Sequence, residues 1–209
     1  MSRATRLLAV LLAGALAGPA AHAADVPTPT TPAIRQAKAR DYFTDTVLVN
    51  QDGKQVRFFT DVLDGNVVVL SFVFTRCVGA CPLICQKLNG VRRQLGDEFR
   101  NVRFVSFSVD PEFDTPAELT RFASKMEAVY PNWTFLGGKK ENVSYVVKRL
   151  GEWPEEPGDH TTAFMAGNVR TGHWTKIRPD MPAAAIADTL RRLIAEDLGD
   201  GESSPRAAN

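Results

Sequence analysis

The chain has 209 residues, 44% of them hydrophobic, and its 25 basic side chains are almost cancelled by 24 acidic ones, for a net charge of +1. That balance supplies no electrostatic footprint for nucleic acid or anionic lipid, so neither is an expected partner. All three cysteines lie between positions 77 and 85, too close together to staple distant parts of a fold. Their clustering points to chemistry, and their odd number leaves at least one thiol without an internal partner.

In chain order, Arg3 and Arg6 precede an apolar run from Leu7 to Leu16, followed by Gly18-Pro19 and Ala21-His22-Ala23. This is the plan of a secretory signal cleaved after Ala23. The run is shorter than the roughly 20 apolar residues of a membrane span, and a retained, tethering signal is the lesser alternative. Cleavage leaves 186 residues with a net charge of −1, since Arg3 and Arg6 are lost from a chain of +1. Residues 24–39, with Pro27-Thr28-Pro29-Thr30-Thr31-Pro32, read as a linker, residues 40–198 as one domain, and residues 199–209 as a frayed polar tail.

Within the domain, Thr46 to Phe59 reads as a hairpin turning at Asp52-Gly53. Asn66 to Phe74 (NVVVLSFVF) and Asn101 to Val109 (NVRFVSFSV) are β-branched and aromatic runs of the kind buried on both faces of a sheet. Between them Ile84, Leu88, Val91, Leu95 and Phe99 recur at helical spacing after Pro82. Thr115-Pro116 opens another helix, with Thr115 as N-cap. A short strand at Trp133 to Leu136 and a helix at Glu141 to Leu150 follow. Two strands, Thr162 to Val169 and His173 to Ile177, are joined at Arg170-Thr171-Gly172, and a final helix carries Ile186, Leu190, Leu193, Ile194 and Leu198. Strand and helix alternation implies parallel pairing and the terminal hairpin adds antiparallel strands. The fold class is therefore α/β, a central mixed sheet with helices on both faces, on the thioredoxin plan with an extra N-terminal hairpin.

The strand-to-helix loop carries Cys77 and Cys81. A proline is best accommodated at the first helical position, which places Cys81 at or beside the N-cap and predicts a thiolate stabilised there by unpaired backbone N–H groups. A tight loop containing Gly79 can bring the two Cα atoms within the roughly 4.4 to 6.8 Å that a disulfide needs. An inert disulfide or two packed small residues is the bland reading; a metal or redox site is favoured by the position after a buried strand, where α/β sheets place ligands. Two thiolates select Cu(I), zinc or an iron–sulfur centre and leave a metal incomplete, which calls for a third ligand. Cys85 falls on the edge of the helix's apolar face and reads first as a core thiol, second as a resolving thiol or spare ligand. His160, at the end of a Pro-rich acidic loop that feeds a strand, is the expected third ligand; His173 lies beside a hairpin turn. Asp159 reads equally as an acceptor that orients the His160 ring or as a turn residue. Asp110 and its neighbours are candidates for tuning the site or meeting a partner, while capping accounts for Asp114 and Thr115.

Taken together, Phe74-Thr75-Arg76-Cys77 with Cys81-Pro82, Ser108-Val109-Asp110-Pro111-Glu112 with Asp114-Thr115-Pro116, Trp133 to Gly138, and Asp159-His160-Thr161-Thr162 resemble the SCO/SenC family. Members of that family assist assembly of the copper centre of respiratory cytochrome oxidases. The resemblance implies a thioredoxin-like fold with an inserted hairpin, a location on the outer side of an energy-transducing membrane, and copper ligands at Cys77, Cys81 and His160. The chain departs from the family in having Val78-Gly79-Ala80 where a proline often follows the first cysteine, in the additional Cys85, and in a signal that reads as cleavable.

Two main functions compete on this footing. One is a periplasmic copper metallochaperone that carries Cu(I) or Cu(II) and serves a copper-acceptor protein such as an oxidase subunit. The other is an exported thiol-disulfide oxidoreductase acting on the acceptor's cysteines, with Cys77 and Cys81 as the redox pair and a thiol-disulfide reductant as partner. A thiol peroxidase on the same fold is a weaker third.

Overall fold

A computed structural model describes residues 31–199, so the signal expected at residues 1–23, the linker's residues 24–30 and the tail from residue 200 on lie outside the described residues, while Gly199, expected to open the tail, ends the final helix. Seven strands form one sheet in the order β2-β1-β5-β4-β3-β6-β7, where β1 is Val47–Asn50, β2 Gln55–Arg57, β3 Val67–Val73, β4 Val102–Ser108, β5 Trp133–Gly137, β6 Phe164–Asn168 and β7 His173–Ile177. The central strands β3, β4 and β5 pair in parallel, while β6 and β7 on one side and β1 and β2 on the other run antiparallel. The expected mixed sheet and extra N-terminal hairpin are both present. Gly53, with φ of 76°, occupies the tight end of that hairpin, a conformation that costs glycine nothing.

Strand β3 explains the layering. All seven of its side chains are buried, and successive side chains of a strand face opposite sides. Val67, Val69 and Val73 join one apolar cluster with Ile84, Leu88 and Val91 of α2 (Ala80–Leu95), Leu119 and Phe122 of the later helix α3 (Pro116–Lys125), and Ile186 and Leu190 of α5 (Ala183–Gly199). Val68, Leu70 and Phe72 join the other cluster, beneath Val143, Val146 and Val147 of α4 (Lys140–Arg149) and Phe43 of α1 (Thr31–Phe43). Ser71, the remaining residue on the first face, is satisfied by Ser106 at 2.8 Å, which also accepts the Trp133 indole N–H at 3.1 Å. Removing that hydroxyl partner would strand a polar group in the core at about 1 to 3 kcal/mol.

Two local expectations change. The linker expected through residue 39 is helical from Thr31. Pro32 stands at the start, where a missing N–H is harmless, and the Ala-, Gln-, Lys- and Arg-rich stretch after it has high helix propensity. Reciprocal bonds from Tyr42 Oη to the Arg149 carbonyl (2.8 Å) and from Arg149 Nε to the Tyr42 carbonyl (2.6 Å) fasten its end to α4. Beyond β2 the chain does not stay extended through Phe59; Phe58–Leu63 form a π-helical turn that buries Phe58, Phe59, Val62 and Leu63.

Candidate metal centre

The cysteine turn leaves the C-terminal end of β3 at Phe74 and enters α2. Helix α2 starts at Ala80 with Gly79 as its N-cap, so Cys81 is its second residue and Pro82 its third, two positions deeper than the proline rule suggested. Proline fits there because none of the first four N–H groups of a helix has an intrahelical partner. Gly79 has no capping side chain; the Cys81 N–H donates instead to Cys77 Sγ at 3.4 Å. Cys81 Sγ in turn accepts from the Phe74 N–H at 3.4 Å.

His160 arrives from the opposite direction along the chain. Strand β6 pairs antiparallel with β3, Leu70 standing opposite Met165; carried five residues further, that register brings position 160 level with Thr75. The Pro157–Asp159 turn ends there, leaving His160 extended and only 8% exposed. Its Nδ1–H donates to the Thr161 carbonyl at 2.9 Å. A carbonyl can only accept, so Nδ1 carries a proton, and in the tautomer this selects the Nε2 lone pair faces Cys81 Sγ at 3.4 Å. Phe74 meets the same ring edge to face at 5.6 Å. The two sulfurs and an imidazole nitrogen all lie within 4.8 Å of one another, and no other group of three such donors is drawn together among the described residues. Such a set is soft, and with Nε2 free of its proton it suits Cu(I) well; zinc would require a fourth donor.

The two thiols differ. Burial works against the Cys77 thiolate, but the N–H groups of Cys81, Gly79 and Ala80 outweigh it and bring its pKa below the ordinary thiol value. Cys81 has no exposed surface, and burial drives its pKa far up, opposed only by the Phe74 N–H and aided by the neighbouring sulfurs. The helix-start argument for an activated Cys81 is thus overturned by desolvation; the activated thiol is Cys77. Cys85 is a core residue, packed among α2, β3 and α5 side chains, with burial pushing its pKa up to about 12.

The other candidates fall away from the donors. His173 is exposed and paired with Glu196 Oε1 at 2.6 Å. Asp159 does not orient His160, whose ring is held by the Thr161 backbone. Asp110 accepts both Nε and Nη2 of Arg76, whose guanidinium lies over Phe113 at 4.3 Å. Thr115 caps α3 as expected, its side chain accepting from the Glu118 N–H. Asp114, assigned to capping, is instead 1% exposed and bonded to the cysteine turn through Thr75. The sequence held a signal for this: with Thr115 already serving as the cap, a carboxylate beside it is surplus to the helix.

Comparison with known proteins shows which family the chain belongs to. The SCO1/SenC family pattern matches residues 35–195. The SCO1 protein homolog of Bacillus subtilis is 39% identical over 93 residues, a stretch that covers 44% of this chain and 47%, about half, of that protein. Among solved structures, Bradyrhizobium japonicum ScoI with copper bound superposes with a TM-score of 0.60 at 25% identity, covering 71% of this chain and 96% of the other. BsSco, described as having a disulfide switch and as a member of the Sco family of cytochrome c oxidase assembly proteins, gives 0.62 at 27% identity, covering 73% and 93%. With its mixed seven-stranded sheet, its thioredoxin-like neighbours and a match spanning most of its length, the chain belongs to the SCO1/SenC family.

Proposed function

We propose that this chain is an exported copper chaperone, which binds copper through Cys77, Cys81 and His160 and passes it to a copper centre of a respiratory oxidase or another exported cuproprotein. The observation that carries the reading is the convergence of two sulfurs and an imidazole nitrogen, from segments about 80 residues apart, to within 4.8 Å. The copper-bound ScoI and the oxidase-assembly description of BsSco support it. The arginine-flanked apolar run of residues 1–23 supports export, with the mature chain beginning at Ala24 or tethered by a retained signal. No helix among the described residues is long and apolar enough to cross a membrane.

Copper here is cargo. The sulfurs supply soft, charge-compensating donors once they lose their protons, and the hydrogen bond from His160 Nδ1 to the Thr161 carbonyl leaves Nε2 turned toward them. Cys77, at the solvent boundary, is the ligand an acceptor protein reaches first; Cys81 and His160 hold from within. Anaerobic titration of the reduced mature chain with Cu(I) is expected to give one copper per chain. The same titration on His160→Ala is expected to show binding collapse, and tight binding that survives that substitution would sink the ligand set.

A second reading, thiol-disulfide exchange with a copper-acceptor protein, is favoured by the same asymmetry: one accessible, activated thiol beside one buried thiol is the arrangement of an attacking and a resolving cysteine. The discriminating result is His160→Ala retaining full exchange activity while reduced wild-type protein forms no stable copper complex.

A further inference from the structure

A closed circuit of side chains grips the two residues immediately before Cys77. The Asp114 carboxylate accepts the Thr75 Oγ1–H at 2.6 Å, the Thr75 backbone N–H at 3.2 Å and the Ser108 Oγ–H at 2.6 Å. Ser108 Oγ accepts from the Asp110 N–H at 3.1 Å, and Asp110 takes the Arg76 guanidinium. The Asp114 N–H closes the ring on the Asp110 carbonyl at 2.9 Å. Strands β3 and β4 are parallel neighbours, with Val73 opposite Ser108, so the circuit bridges the loops that leave their adjacent C-terminal ends.

We propose that Asp114 is a positioning residue for the site: it fixes the Thr75-Arg76 segment and thereby the placement of Cys77 Sγ relative to Cys81 and His160. Three facts set it apart from an ordinary buried acid. Its charge is isolated from water, and burial raises its pKa despite three donors from Ser108 and Thr75. A buried carboxylate without a full set of donors is costly, yet no cation pairs with it directly; all three bonds go to Thr75 and Ser108. Thr75 is also the residue where the chain stops following the sheet, since the Cys77 N–H already turns back to the Phe74 carbonyl at 3.1 Å. Without Asp114, the side-chain holds on this turn from the β4 side that remain among the described residues run through Arg76, to Asp110 and to the Phe113 ring, and exposed pairs hold weakly.

The inference rests on the copper reading for one of its consequences and is independent of it for the other, which keeps the two separable. Asp114→Ala is expected to weaken Cu(I) binding roughly tenfold or more, as loss of groups that orient ligands commonly does, and to shift the thiolate-to-Cu(II) absorption band. Without metal, the equilibrium between the Cys77/Cys81 dithiol and its disulfide, read in a glutathione redox buffer where one oxidised glutathione gives two reduced ones, is expected to move by about tenfold. Asp114→Asn keeps an acceptor for Thr75 and can donate to Ser108, and is expected to restore both readouts to within about threefold of wild type. Thr75→Val removes one bond while keeping the turn's backbone and is expected to give a smaller shift in the same direction.

An unchanged redox equilibrium in folded Asp114→Ala, or in Thr75→Val if Asp114→Ala does not fold, overturns the proposal and leaves Asp114 as scaffold alone. Wild-type protein that binds no copper while Asp114→Ala still shifts the redox equilibrium overturns the copper reading and keeps this one.

Discussion

Cys77 and Cys81 are four residues apart and share a hydrogen bond, yet they stand on opposite sides of a solvent boundary. Around Cys77 the chain is open: Val78 next to it is 96% exposed, and three backbone N–H groups lean on its sulfur. Around Cys81 everything is closed, with Phe74 behind it and His160 against it. The contrast teaches that the start of a helix does not by itself activate a thiol. The dipole and free N–H groups favour the charged form by an amount that burial can exceed, and here the thiol outside the helix collects the donors that the thiol inside it was expected to use.

The largest test of that contrast is removal of one sulfur at a time. Cys77→Ala and Cys81→Ala are each expected to lower Cu(I) affinity by more than about a hundredfold in competition with a chromogenic chelator, beyond what loss of an orienting group gives. They should differ in kinetics, with release to a competing ligand accelerated most where the inner sulfur is gone. Equal release rates in the two variants would break the outer and inner assignment.

The next test compares the thiols without metal. Iodoacetamide at neutral pH is expected to label Cys77 at least about tenfold faster than Cys81 or Cys85, because thiolate fraction and access both favour it. Peptide mass spectrometry over a time course reads this directly, and preferential labelling of Cys81 would reverse the comparison.

Alkaline pH sharpens it further. A thiol whose folded pKa lies above its unfolded value stabilises the fold fully below the unfolded pKa and loses that contribution as pH rises through the folded one. Unfolded thiols ionise near the reference value of 9.0, and Cys85 does so at about 12 when folded. Stability of the reduced chain should therefore fall from about pH 9 upward, by up to about 1.4 kcal/mol per pH unit for each buried thiol. Cys77, with its pKa lowered, contributes in the opposite sense. Urea titrations of wild type and Cys85→Ala across this range measure the difference, and identical slopes would contradict the buried state of Cys85. Outside the site, Thr115→Ala is expected to cost only about 1 kcal/mol through the lost N-cap of α3, leaving both thiols as they are.

The sheet was legible because its strands are buried on both faces: β3 and β4 stand within a residue or two of where their β-branched runs predicted, and His173–Ile177 begins and ends where expected. That Cys77, Cys81 and His160 would lie together was legible because cysteines and histidines are rare in the chain. What could not be read were quantities that depend on depth. Nothing in the run Cys77 to Cys85 tells which sulfur is wet, and Asp114 looked like a cap because its distant partners, Thr75 and Ser108, come together only when β3 and β4 pair. Helix α1 was hidden by prolines whose effect on a helix depends on which turn they occupy.

The sulfur of Cys77 stands where a serine or aspartate oxygen usually closes the first turn of a helix, since Gly79 offers no side chain and the Cys81 N–H is met by that sulfur. The end of α2 is thus sealed by the same lone pairs that a metal ion or a disulfide would claim. Loading or oxidising the site withdraws the seal, and the opening turn of α2 becomes a natural reporter of occupancy, visible in the amide resonances of Gly79, Ala80 and Cys81. It also means that Cys77→Ser, which restores an oxygen to that position, is not a neutral deletion: it removes the chemistry while reinforcing the helix, and only Cys77→Ala removes both.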